Sequence, residues 1–166
     1  MGYDFSAVGR EAPTFRLGLG WMSLLLDVLN VAGVLDVRAG EPDPPDDVAA
    51  TWDDPPTEDW PFDGALSEVA LAYFAFRSEN AGQVPICKLA DSSPWIVAAE
   101  ECEVLAGCAD DILDGRRSLV LSEVGNQVLE RSGVDRTERL DTTRRIVVEF
   151  AQFCRECAAH DGFWAY

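Results

Sequence analysis

Residues 141–159, D-T-T-R-R-I-V-V-E-F-A-Q-F-C-R-E-C-A-A, weigh most in assigning a fold class to this 166-residue chain. Ile146, Phe150, Phe153, Cys154 and Cys157 recur three or four positions apart, which places them on one face of an α-helix. Asp141 is the expected N-cap and Ala159 the expected end. A second stripe, Cys102, Leu105, Ala106, Ala109, Ile112 and Leu113, predicts a helix over 97–113. Gly115 should close it, with Arg116 and Arg117 near its negative end. Met22, Leu25, Leu26, Leu29 and Gly33 predict a third helix over 21–35, and a fourth is expected over 122–131, closed by Gly133. Residues 65–76 read as a short helix or strand, with Leu71, Tyr73, Phe74 and Phe76 as core candidates. Residues 14–17 look extended, and one short strand is expected over 84–89. The expected fold class is mainly α, at most α+β with a few short strands. One compact helical domain spans 1–166 and carries long acidic, proline-rich loops.

A chain of this length buries roughly two thirds of the surface that it exposes when unfolded. With 48% hydrophobic and 26% charged residues it is globular in composition. Its net charge of −17 is unevenly placed. Residues 1–115 hold 22 Asp and Glu against 5 Arg and Lys, and residues 116–166 hold 8 of each. A halophile would spread its acids evenly. Clustered like charge repels itself and favours contact with water, salt or a basic partner. It also disfavours direct nucleic-acid binding, which needs the opposite sign. The bases are 12 Arg and one Lys, Lys88, a bias read as that of a GC-rich bacterial genome.

The acids concentrate in 41–63, with nine acids, six prolines, no base, and Trp52 and Trp60. Proline at this density predicts a long surface loop or partial disorder, with neither a regular helix nor a central strand. Two tryptophans among Asp46, Asp47, Asp53 and Asp54 resemble a docking patch, with aromatic anchors inside a steering field. Alternatively, the rings fold back and cap the domain's own core.

The five cysteines, Cys87, Cys102, Cys108, Cys154 and Cys157, lack a disulfide framework. Leu17–Leu35, broken by Asp27 and Asn30, reads as an amphipathic helix, neither a secretory signal nor a membrane span. Together these predict free thiols, a cytoplasmic protein and no membrane association. Cys154, Cys157 and His160 form C-x-x-C-x-x-H, in outline a redox pair or a zinc half-site for which Cys102 is the expected fourth ligand. The pair lies at the end of its helix, where the dipole opposes a thiolate, and both cysteines fit the apolar stripe. Asp110, Asp111 and Asp114 spell D-D-I-L-D, similar to the aspartate-rich magnesium motif of class I isoprenoid synthases. Those enzymes need a longer bundle and a second downstream motif, so a solvated helix face is expected instead. No metal and no cofactor are expected. His160 is the only histidine, and no nucleophile elbow, phosphate loop or dinucleotide fingerprint is present.

Three stretches, G-Y-D-F with T-F-R-L-G-L-G-W, P-I-C-K-L-A-D-S-S-P-W-I-V-A-A-E-E-C, and F-A-Q-F-C-R-E-C-A-A-H-D-G-F, resemble a group of small bacterial single-domain proteins that has no established activity. The resemblance covers about half the chain. It implies a compact bacterial domain in which Trp21, Trp95, Phe150, Phe153 and Cys154 are framework. The leading functional expectation is an acidic, non-enzymatic, immunity- or inhibitor-like protein that recognises or neutralises a basic protein partner. One alternative is a small enzyme or accessory protein of a biosynthetic pathway, with carboxylates in a helical pocket. Another is a zinc-stabilised structural module.

Overall fold

A computed structural model describes residues 2–8, 13–53, 55, 61, 66–91, 93–116 and 136–166. The chain opens with β1 (Gly2–Ala7) and β2 (Thr14–Gly18), then α1 (Leu19–Val31), β3 (Leu35–Asp36), α2 (Asp46–Asp53) and α3 (Glu68–Phe74). There follow β4 (Val84–Pro85), α4 (Cys87–Ala90), β5 (Trp95–Val97), α5 (Ala99–Leu113), α6 (Arg136–Ala158) and β6 (Phe163–Ala165). The helix expected over 122–131 lies outside the described residues.

The class is α+β, which corrects the expectation of a mainly α fold. β2, β1, β6 and β5 form a four-stranded sheet in that order, antiparallel throughout, and β3 pairs with β4 in parallel. The last strand inserts between the first and the fifth, with Phe163 opposite both Ala7 and Val97, and Trp164 opposite Ser6 and Ile96. Alternate residues of β6 therefore serve two cores. Phe163 and Val97 join the larger one with α1, α5 and α6, whereas Trp164 and Ile96 join a second with Val48, Ala70 and Phe74. Because both faces are covered, β5 and β6 are buried at every position and read as unbroken apolar runs. Such runs carry no strand period, and their partners lie far away in the chain.

The expected stripes are buried: Cys102, Leu105, Ala106, Ala109 and Ile112 on α5, and Ile146, Phe150, Phe153, Cys154 and Cys157 on α6. Phe5, Phe15, Phe150, Phe153 and Phe163 interlock between sheet and helix at centroid distances of 5.1 to 6.4 Å. Helix α6 begins before Asp141, which is an interior residue rather than the cap. Thr142 and Thr143 there bond back to the Glu138 and Arg139 carbonyls at 2.9 and 2.8 Å. Only Val84–Pro85 of the expected strand over 84–89 is extended, and Cys87–Ala90 forms a helical turn.

A larger correction concerns 41–63. Asp46–Asp53 is helical and buries Val48. Proline density over the whole segment hides a proline-free window, D-D-V-A-A-T-W-D. Pro44 and Pro45 lie just outside its start, where proline is compatible with a helix, and Asp46 and Asp47 complement the positive end.

The turn from α6 into β6 depends on Gly162. Its φ is +105°, its N–H donates to the Cys157 carbonyl at 2.9 Å, and an added Cβ would lie 2.0 Å from the Val97 carbonyl oxygen. No rotamer relieves a clash with backbone. Gly162→Ala should therefore cost at least about 2 kcal/mol, combining strained φ with displacement of β5. A lowered urea midpoint with an unchanged slope would show it, and wild-type stability would contradict this account.

Candidate functional site

Asp36 organises the approach to the site. Its carboxylate accepts from the Arg38 and Ala39 N–H groups at 3.0 and 3.2 Å, and from Ser78 Oγ and Asn80 Nδ2. These donors, Ser78 first, hold its pKa below the usual carboxylate value. The clamp directs residues 39–45 toward α3. There Pro42, Asp43 and Pro45 form one wall of an open groove of about 510 Å³. The other wall is Glu68, Val69 and Ala72, with Tyr73 and Phe76 beside them. Ser67 caps α3 by accepting from the Ala70 N–H at 3.1 Å, and donates to Asp47 Oδ2 at 3.1 Å. That link fixes α2 against α3.

Beneath the groove is an aromatic layer over a buried ion pair. Trp95 packs on Tyr73 and Phe76 at 5.3 and 5.0 Å. Lys88 Nζ lies 5.2 Å from the Phe76 ring centroid. Lys88, the only lysine in the chain, is fully buried. It donates to Glu101 Oε2 at 2.7 Å and to the Ile96 carbonyl at 2.8 Å. Burial lowers the Lys88 pKa, and the Glu101 charge opposes that shift. Glu101 Oε2 also accepts from the Ala98 N–H at 2.9 Å, so one carboxylate oxygen joins α4, β5 and the start of α5. Glu101 Oε1 and Trp95 Nε1 are buried with no hydrogen-bond partner among the described residues.

The groove is bordered by carboxyl groups. From Ala39 to Phe76 the sequence holds ten Asp and Glu and no Lys, Arg or His. Burial and then the neighbouring Asp91 carboxyl raise the Glu41 pKa. Burial, followed by Glu41 and Asp43, raises that of the Tyr73 phenol. Arg77, the next base along the chain, pairs with Glu100 at 2.9 Å.

The residues singled out in the sequence are dispersed. Asp46 is exposed and Asp47 binds Ser67, both on α2. Trp52 is 45% exposed while its ring stacks on Phe74 at 6.1 Å, so it both caps the second core and faces outward. Asp53 ends α2, its side chain outside the described residues, as are Asp54 and Trp60. Asp110 pairs with Arg155 across α5 and α6, and Arg116 bridges Asp111 and Asp114 at 3.2 and 3.0 Å. Cys154 and Cys157 are buried in the core, whereas His160 is exposed on the following turn. Among the described residues no three His, Cys, Asp or Glu side chains group as a metal-binding set. Trp21, expected as framework, is 40% exposed, and Leu71, expected in the core, is 44% exposed.

No family model, no curated protein and no solved structure matches the chain, so its functional reading rests on its own geometry. The groove is not legible in the sequence because Glu41, Pro42, Asp43 and Pro45 fall in the proline-rich stretch expected to be a loop. The buried pair was missed as well, although a lone lysine in so acidic a chain was a signal.

Two outcomes follow. Lys88→Met should cost about 3–5 kcal/mol because it leaves the Glu101 charge buried and uncompensated. Lys88→Met with Glu101→Gln should recover much of this, since glutamine still accepts from Ala98. Urea titration distinguishes these outcomes, and a double variant as unstable as the single one would refute the charge argument.

The second outcome concerns three buried thiols. Burial holds Cys102 and Cys154 well above the ordinary thiol value and pushes Cys157 up to about 12. A raised folded-state pKa means that the stability from neutral thiols is complete below the unfolded value of about 8.5 and declines above it. It is lost for Cys157 as pH approaches about 12. The unfolding midpoint should fall over this range, and less steeply in Cys157→Ala. Parallel pH profiles for the two proteins would exclude the thiol contribution.

Proposed function

We propose that this protein is a non-enzymatic, immunity- or inhibitor-like binding protein that recognises a basic protein partner through the α2–α3 face. The observation that carries the reading is an apolar groove with Asp43 and Glu68 in its lining, all of whose lining residues fall in a stretch of sequence, Ala39 to Phe76, without a base. Trp52 at 45% exposure, Val69 at 54% and Leu71 at 44% add apolar area to this region. Apolar anchors supply residence time, while the surrounding charge supplies speed and selects the sign of the partner. The five cysteines are buried, and among the described residues no helix is long and apolar enough to cross a membrane. These features suit the reducing bacterial cytoplasm in which we place it.

The enzyme alternative draws on the Glu41 and Asp91 carboxyls, where a raised pKa beside a second acid is a pattern suited to proton transfer. Their position at the entrance to a binding groove is equally suited to charge selection. On a face this acidic, binding is the simpler use.

To test the binding reading, proteins held by the immobilised chain at low salt are identified, purified and measured by surface plasmon resonance. The expected partner is basic, and its association slows as ionic strength rises. Asp46→Asn with Asp47→Asn should slow association and flatten that dependence. Trp52→Ala should speed dissociation by about 2 kcal/mol of lost affinity, with a thermal-unfolding control because its ring also covers Phe74. An acidic or neutral partner, or salt-independent association, would bring the carboxylate enzyme forward.

A further inference from the structure

We infer that the α3 groove receives an arginine side chain of the basic partner, flanked by apolar residues; this deepens the binding reading and rests on it. Pro42, Pro45, Val69 and Ala72 give the groove aliphatic walls suited to a side-chain stem. Tyr73 and Phe76 are the aromatic residues of the lining, and Asp43 and Glu68 are its acidic ones. Ring surface combined with carboxylates is the environment that a guanidinium fits best. It is planar and weakly hydrated, stacks on aromatic rings, and donates in pairs to a carboxylate. Two neighbouring bases of the chain do not serve this purpose. Arg77 is engaged by Glu100, and Lys88 is sealed below the aromatic layer by Glu101 and the Ile96 carbonyl. Among the described residues neither Asp43 nor Glu68 forms a salt bridge. The volume of about 510 Å³ exceeds one side chain, which is why the occupant includes apolar neighbours.

The probe is a fluorescein-labelled nonapeptide, Gly-Ser-Ala-Leu-Arg-Leu-Ala-Ser-Gly, titrated with the full chain at low salt and followed by anisotropy. Its twin carries citrulline, the neutral near-isostere, in place of arginine. The arginine peptide should bind, and the citrulline peptide should bind roughly tenfold more weakly or worse. Asp43→Asn with Glu68→Gln should flatten the salt dependence of the arginine peptide. Ala72 is exposed, so Ala72→Trp should fill the groove, weaken binding at least about tenfold and leave the unfolding midpoint unchanged. Equal affinity for the two peptides, no binding of either, or an Ala72→Trp variant that binds like wild type would each overturn the inference. Failure of the wider reading is separable. If the captured basic partner still depends on salt and Trp52 while the groove variants bind it normally, only the arginine inference falls. A partner indifferent to both sets removes both.

Discussion

The pairing of the chain's two ends organises the molecule. β6 can occupy the centre of the sheet only because β1 and β5 accept it from either side, and only because Gly162 turns the chain against the Val97 carbonyl. From that seat Phe163 reaches Phe5 and Phe153, locking α6 to the sheet, while Trp164 meets Phe74 on the opposite face. Neighbouring residues of one short strand thus hold the two cores in register. The larger core is a conventional packing of apolar stripes. The smaller one is aromatic, and the groove lies above it.

Glu101 connects this framework to the site. One of its oxygens takes both the Lys88 ammonium and the Ala98 N–H, and Lys88 in turn holds the Ile96 carbonyl. A buried pair of this kind adds little net stability over an apolar replacement, but it tolerates few alternative arrangements. Here it ties α4, β5 and α5 together directly beneath Phe76. The aromatic side of the groove is therefore set by a charge that the rest of the chain never exposes. Asp36 acts similarly on the opposite wall, using four donors to direct residues 39–45.

The helical stripes of α5 and α6 were legible because a period near 3.6 survives in isolation: Cys102, Leu105, Ala109, Phe150 and Cys154 are placed by spacing alone. The sheet was not. Trp95–Val97 and Phe163–Ala165 are three residues each, buried on both sides, and paired with strands far away in the chain, so nothing local marks them as strands. Helix α2 was hidden by averaging, since its prolines lie just outside its start. The acidic character of the site was legible in composition. Its position was not, because the groove forms only when the Asp36 clamp brings residues 42–45 onto α3. Trp52 fell between the two alternatives offered for it, stacking on Phe74 with one surface and meeting solvent with another.

The charge pattern gives the groove a direction. Ten acids in 38 residues repel one another, and that repulsion weakens the compact state unless counter-charge arrives. Ion pairs internal to the chain relieve it elsewhere, at Arg16 with Asp4, Arg77 with Glu100, Arg116 with Asp111 and Asp114, and Arg155 with Asp110. Residues 39–76 contain no base with which to do the same. A cationic partner that settles on this face removes repulsion as well as forming contacts, so binding and folding stability are linked by mass action. On the proposed binding reading the two features divide the work: the groove supplies apolar contact, and the acidic residues of its lining select a cation.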